Sequence, residues 1–265
     1  MMGILFERLR QKHRTMAYPD GPAPELPERW RGEPVISPAA FDAASGAAYC
    51  PTGALDLTDG ATLDAGRCIF CGACQEKGPK GGVAFSRSYA MARFSRGELV
   101  AGGKGTEVGA ESGRLKEIRA LFGKSLKLRQ VSAGGCNACE ADCNVLGTLA
   151  WDMGRFGVSF VASPRHADGI LVTGPVTDNM KLALEKTYAA VATPKVVIAV
   201  GACAISGGIY GSGEGRGVLE SLFPVDLYVP GCPPHPLVIL EGLLRLIGRV
   251  QDVAPRTDRA SSMTS

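Results

Sequence analysis

A chain of 265 residues with an apolar fraction of 45% is longer than one compact core needs, which predicts two domains. Its net charge of +3 is too small to argue for a nucleic-acid partner. No run approaches the roughly 18 apolar residues of a membrane span, the longest (196–205) being broken by Gly201.

The N-terminus shows no signal-peptide pattern, so a cytoplasmic location is expected. Nine cysteines in such a chain argue for metal sites rather than disulfides. Eight of them fall into two sets of four, leaving Cys143 over.

Residues 2–14 predict a short amphipathic helix. Met2, Leu5, Phe6 and Leu9 share one stripe at helical spacing, and Arg8, Arg10, Lys12 and Arg14 crowd the rest. A basic amphipathic helix suits an anionic membrane surface. The competing expectation, preferred at this length, is a docking helix packed on its own protein or on a partner. Pro19, Pro22, Pro24, Pro27, Pro34 and Pro38 then predict an extended segment with little secondary structure. Residues 1–38 are thus read as a docking helix plus an extended arm.

Residues 39–94 contain Cys50-Pro51-Thr52-Gly53-Ala54-Leu55, then Cys68-x2-Cys71-x2-Cys74. In two-cluster bacterial ferredoxins, each Cys-x2-Cys-x2-Cys-x3-Cys-Pro run sends its fourth cysteine to the other cluster. Here the first run keeps only that last member, Cys50, and the second keeps its first three. The fourth position is Gly78, followed by Pro79. The survivors are the ligands of one cluster, which predicts a single 4Fe–4S site in a small ferredoxin-like α+β domain. Zinc and purely structural cysteines are the alternatives.

Residues 95–113 carry six glycines and few large apolar residues, and read as a linker. Residues 114–122 predict a short helix. Apolar runs at 126–131, 158–163, 169–173, 195–200 and 225–229 predict strands buried on both faces. Helices are expected at 140–154, 178–192 and 235–249. The alternation predicts a doubly wound parallel sheet, flavodoxin-like, over 114–250. The polar tail 251–265 is expected to be disordered.

Three strand ends in that sheet carry cysteine: Gly135-Cys136-Asn137-Ala138-Cys139, Gly201-Ala202-Cys203 and Pro230-Gly231-Cys232-Pro233-Pro234. Ligands collect at the carboxyl ends of strands in open α/β sheets. Cys136, Cys139, Cys203 and Cys232 are therefore expected to hold a second 4Fe–4S cluster. Thiolates suit zinc equally, and a CxxC before a helix also fits a thioredoxin-like redox pair, which leaves Cys203 and Cys232 unexplained.

Cys143 is read as a small core residue. Asp142 either handles protons near the cluster or stabilises the first helical turn. Arg165, in Ser163-Pro164-Arg165-His166-Ala167-Asp168, either offsets cluster charge or pairs with Asp168. His166 is not needed as a ligand. The glycines of 207–217 lack the GxxxxGK[ST] order and read as a partner-facing loop.

From about 120 to 250 the chain resembles the small, cluster-carrying subunit of membrane-bound nickel–iron hydrogenases, formate hydrogenlyase and respiratory complex I. The resemblance rests on Leu121-Phe122-Gly123-Lys124-Ser125-Leu126, the CxxC segment with Glu140, Arg155-Phe156-Gly157, 163–168, Thr173-Gly174-Pro175-Val176-Thr177, and the Cys203 and Cys232 segments. The complex I version has two adjacent cysteines at the first position. The CxxC here matches the hydrogenase branch.

From about 10 to 95 the chain resembles the ferredoxin subunit of the same complexes, through Tyr18-Pro19, Trp30-Arg31-Gly32 and the two cysteine segments. It resembles a fusion of two subunits that are usually separate, with one cluster lost. The resemblance implies two 4Fe–4S clusters and no catalytic residue. It implies a large subunit and membrane ion-translocating subunits as partners, with a further ferredoxin or a formate dehydrogenase as donor. It also implies a peripheral position on the inner face of the cell membrane. A complex I-related complex without nickel and a free redox carrier or sensor are the other readings.

Overall fold

The computed structural model describes residues 2–11, 14–22, 24–41, 50–58, 60–102, 113–211 and 216–251. The predicted tail beyond 251, residues 12–13 of the predicted helix and residues 103–112 of the predicted linker lie outside these.

Helix α1 (Met2–Gln11) opens the chain. Its Phe6 and Leu9 are 70% and 78% exposed, so they do not pack on the described body of the protein. Five short strands follow: β1 (Pro34–Ile36), β2 (Leu55–Asp56), β3 (Thr62–Asp64), β4 (Val83–Phe85) and β5 (Val100–Gly102). β1 pairs with β4, and β3 pairs with both β2 and β5, all antiparallel. The short helix α2 (Ala73–Lys77) starts at Gly72 and ends at Gly78.

Residues 97–102, expected as linker, instead supply a turn and strand β5. Leu99 and Ala101 are buried, and that burial outweighs the glycine content around them. The proline-rich arm likewise supplies β1, with Pro34 at the strand's first position, where a missing N–H is tolerated.

The second half carries α3 (Gly113–Phe122), β6 (Leu126–Ser132), α4 (Ala138–Val145), β7 (Val158–Phe160), β8 (Gly169–Thr173), β9 (Val176–Thr177), α5 (Asp178–Ala190), β10 (Val196–Val200), α6 (Ala202–Ser206), β11 (Arg216–Gly217), β12 (Leu227–Val229) and α7 (Pro236–Leu246). A five-stranded parallel sheet runs in the order β12-β10-β8-β6-β7. Taken from the β7 edge and numbered along the chain, that is 2-1-3-4-5, a doubly wound order whose direction reverses between β6 and β8. Every residue of β8 and β10 is buried, as continuous apolar strands require.

Helices cover both faces. One core joins the sheet to α3, α4 and α7, and takes in Tyr18, Met91 and Ala92 from the N-terminal half. The other joins it to α5 and α6, with Ala65 and Leu99. A third, smaller core holds Ala54, Leu55, Leu63, Cys68, Cys74 and Val83. All residues of α7 are buried, including Glu241 and Arg245, which pair at 2.7 Å.

The helix expected over 140–154 begins at Ala138 and stops at Val145. The Thr148 hydroxyl donates to the Val145 carbonyl at 2.7 Å, capping a chain that turns at Gly147. A separate 3₁₀ turn, Met153–Phe156, follows. β7 ends at Phe160 rather than 163, because Pro164 opens a turn there with Ser163 as its cap.

Candidate metal centres

Cys136 and Cys139 flank the turn between β6 and α4, beside the point where strand order reverses. Asn137, between them, takes φ +72°, a left-handed conformation that asparagine tolerates better than most residues. Gly134 sits at φ +120°, and the side chain of Thr177 fills the space where a Cβ would stand. Cys203 lies in the first turn of α6, after β10, and Cys232 follows β12. The sheet thus delivers four thiols to one end. Cys139 lies within electrostatic range of Cys203 and Cys232, and Cys136 within range of both as well.

Two glycines shape this cage. A Cβ on Gly201 would lie 2.6 Å from Cys139 Sγ, and one on Gly208 would lie 2.8 Å from Cys203 Sγ. Both φ values are positive, +89° and +54°. The backbone therefore closes on the sulfurs as only glycine permits.

In the N-terminal half, Cys50, Cys68, Cys71 and Cys74 line a single apolar cavity with Leu55 and Phe85. Cys68, Cys71 and Cys74 come from the loop into α2, and Cys50 from the turn before β2. The backbone N–H of Ala54 donates to Cys50 Sγ at 3.1 Å, and that of Phe70 donates to Cys68 Sγ at 3.3 Å. Phe70 holds φ +55°, an uncommon conformation for an aromatic residue, and one that aims its N–H at the sulfur. Gly78, standing where the fourth cysteine of the run would be, serves as the C-cap of α2.

Burial pushes most of these thiols up, and their mutual proximity adds to it. Cys68 is raised to about 12 by burial, then by Cys50, Cys74 and Cys71. Cys203 is raised to about 11 by burial, then by Cys232 and Cys136. Cys74, Cys139 and Cys232 are raised for the same leading reason. Cys50 moves the other way. Burial pushes it up, but N–H groups of Leu55, Thr52 and Ala54 more than offset this and leave it below the ordinary thiol value.

Thiols crowded in this way favour the thiolate only beside positive charge, which a bound metal supplies. Among the described residues, no three Cys, His, Asp or Glu side chains come together tightly enough for one ion. One zinc needs all its sulfurs about 2.3 Å from a common point, whereas a cluster receives its thiolates at different irons and asks for a wider cage. Each set offers four thiols, the number and ligand type that a four-iron cluster takes.

Other sequence candidates fall into place around them. Cys143 is fully buried in the core beneath α4. Arg165 is exposed, and the Asp168 carboxylate accepts the Lys127 N–H at 2.7 Å. Burial raises the half-buried Asp142 carboxyl. The acid placed by the cage is instead Glu140. It is buried, accepts from the Thr173 hydroxyl at 2.7 Å, and contributes to raising both Cys139 and Cys203. Its position directly after Cys139 is the one signal the sequence offers for it. His235, three residues after Cys232, caps α7 by accepting from the Leu237 N–H and packs edge-on against Trp30 and Trp151. No helix among the described residues is long and apolar enough to cross a membrane.

Comparison with known proteins covers the second half of the chain. The family described as NADH ubiquinone oxidoreductase, 20 Kd subunit, matches residues 136–246 and so takes in all four cysteines of the second cage. The probable membrane-bound hydrogenase subunit mbhJ of Pyrococcus furiosus is 41% identical over 132 residues, spanning 49% of this chain and 79% of the relative. A NADH-quinone oxidoreductase subunit of Citrifermentans bemidjiense is 40% identical over 116 residues, spanning 44% of this chain and 68% of the relative. Formate hydrogenlyase subunit 7 of Escherichia coli strain K12 is 38% identical over 138 residues, spanning 52% of each.

Proposed function

The chain belongs to the NADH ubiquinone oxidoreductase 20 kDa subunit family, and we propose that it is the electron-relay subunit of a membrane-associated hydrogenase or formate hydrogenlyase-like complex. The observation that carries this is the convergence of Cys136, Cys139, Cys203 and Cys232 at one end of the sheet. In this reading they hold one 4Fe–4S cluster, and Cys50, Cys68, Cys71 and Cys74 hold another in a fused ferredoxin-like unit. Bound there, each cluster supplies reversible one-electron storage.

The chain's own residues do the rest. Cysteine thiolates fix each cluster, and Gly201 and Gly208 leave the second cage its room. The N–H groups of Ala54 and Phe70 favour negative charge on the first. Leu55, Leu63 and Phe85 give it apolar walls. Cys136 and Cys232 are exposed, which leaves the second cage open toward a partner. We assign that face to a large subunit carrying the catalytic centre, and infer membrane ion-translocating subunits beyond it. The N-terminal cage faces the donor side, where a ferredoxin or a formate dehydrogenase would deliver electrons. The whole is placed peripherally on the inner face of the membrane.

The NADH-quinone oxidoreductase relative, at 40% identity over 116 residues against 41% over 132 for the hydrogenase relative, sustains a second reading: a complex I-related oxidoreductase without nickel. Anoxic affinity capture of the tagged chain from native membranes, with nickel and iron quantified, separates the two. Nickel co-eluting with a large subunit, and about eight irons per chain for two four-iron clusters, supports the hydrogenase reading. A large subunit with iron but no nickel supports the second. The chain eluting alone with its iron overturns both.

A further inference from the structure

We propose that Arg31 sets the reduction potential of the N-terminal cage, with Glu76 partly masking its charge. The inference rests on the reading that Cys50, Cys68, Cys71 and Cys74 hold a cluster.

The geometry is specific. A Cβ built on Gly72 would lie 2.6 Å from Cζ, Nε and Nη2 of Arg31 alike, so the guanidinium lies flat over the glycine between Cys71 and Cys74. Arg31 Nη1 also donates to the Phe70 carbonyl at 3.4 Å. One cation therefore touches the loop that supplies three of the four thiolates. Gly72 is at φ +82°, so the loop bends there and opens the space that the guanidinium fills. Glu76, two residues beyond Cys74, meets Arg31 Nη2 at 3.6 Å.

The neighbouring arginines are committed elsewhere. Arg67 and Arg96 both pair with Asp64, and Arg93 pairs with Glu33. Arg31 is 38% exposed and Glu76 68% exposed, so water screens Glu76 more strongly and the pair presents net positive charge to the cage.

The physical consequence follows from sign. Four thiolates around a cluster carry net negative charge, and one-electron reduction adds another. A nearby cation stabilises the reduced form more than the oxidised form and raises the potential. Removing it lowers the potential, and removing Glu76 raises it.

The test is an anoxic potentiometric titration of the intact chain with a chemical reductant, each cluster followed by its own spectroscopic signal. Arg31→Gln should shift the oxidised-to-reduced ratio of the first cluster roughly three- to tenfold toward oxidised at a fixed ambient potential, tenfold being about 59 mV for one electron. Glu76→Gln should shift it the opposite way, Arg31→Lys should restore most of the wild-type value, and the second cluster should not move. A merely structural disturbance has no reason to give opposite signs from the two partners. Shifts of the same sign, or none in either variant, overturn the role of Arg31. The exposed Glu76 variant carries the test alone if Arg31→Gln fails to fold. If the unmodified chain shows only the second cluster, the two-cluster reading itself falls, and the inference with it.

Discussion

Gly201→Ala is the sharpest probe of the second cage. Gly201 has φ +89° and ψ 155°, a region populated essentially by glycine alone. Forcing alanine there costs about 1–3 kcal/mol in backbone strain. The new methyl would also stand 2.6 Å from Cys139 Sγ, with the Gly231 carbonyl at 3.6 Å and Pro234 Cδ at 3.8 Å on its other sides. The clash with the sulfur adds overpacking of about 1–3 kcal/mol. The sum, about 2–6 kcal/mol, is a large share of the roughly 5–15 kcal/mol that holds a typical domain. At about 2–4 °C per kcal/mol for a chain of this size, it corresponds to a melting point lower by roughly 4–24 °C.

Gly81→Ala is a comparison at positive φ without a clash, since Gly81 has φ +77° with nothing within 4 Å of its Cβ position. Iron analysis and cluster spectroscopy on anoxically purified chains give the second readout. Gly201→Ala should lose the second cluster's signal and keep the first, whereas Gly81→Ala should keep both. A Gly201→Ala chain with full iron that melts with the Gly81 variant would refute this cage geometry.

Two further outcomes test the ligand sets and the junction between them. Cys203→Ser or Cys232→Ala should remove the second cluster and spare the first, Cys71→Ser should do the reverse, and Cys143→Ala should change neither; equal losses from both classes would sink the division into two sites. His235 carries a pH dependence. Burial lowers its pKa below the ordinary 6.5, so the fold holds it neutral while the unfolded chain takes up a proton. Its contribution is complete above pH 6.5 and is lost as pH falls below that value toward the depressed one. Thermal midpoints of the loaded chain at about pH 7.5 and about pH 5.5 should therefore diverge less in His235→Asn, which keeps a capping acceptor without the titration; an unchanged difference would put the pH response elsewhere.

What the sequence made legible were features written locally. The spacing of Cys68, Cys71 and Cys74 is covalent, and the apolar runs at 169–173 and 196–200 need no partner to be recognised. That the sheet is parallel followed from the alternation of strands and helices. Features decided by distant contacts were not legible. Residues 97–102 look like linker until β3 and the buried Leu99 claim them. Glu140 looks like an ordinary first-turn acid until Thr173, 33 positions away, donates to it. Arg31 is one of many arginines in the sequence, and only the fold lays it on Gly72.

The two halves also share structure in a way that bears on relay. Residues 91–93 belong to both. The Arg93 N–H donates to the Tyr228 carbonyl and the Tyr228 N–H returns the bond, so this segment extends the sheet beyond β12. Ala92 packs over Gly242 of α7, where a Cβ would come within 2.7 Å of its own, and its carbonyl accepts from the buried Arg245 at 2.6 Å. Trp30, beside Arg31, stacks edge-on against His235, three residues from Cys232. Phe70, between Cys68 and Cys71, packs against both the small core and the large one. A ferredoxin-like unit tethered by a linker alone would swing, and the separation between its cage and the next would fluctuate. Here buried backbone hydrogen bonds, a buried arginine contact and aromatic contacts all cross the junction. Moving one cage relative to the other would expose apolar surface and break that Arg245 contact, a change costing several kcal/mol. The fixed spacing between the two cysteine cages is therefore a property of the packed core around α7.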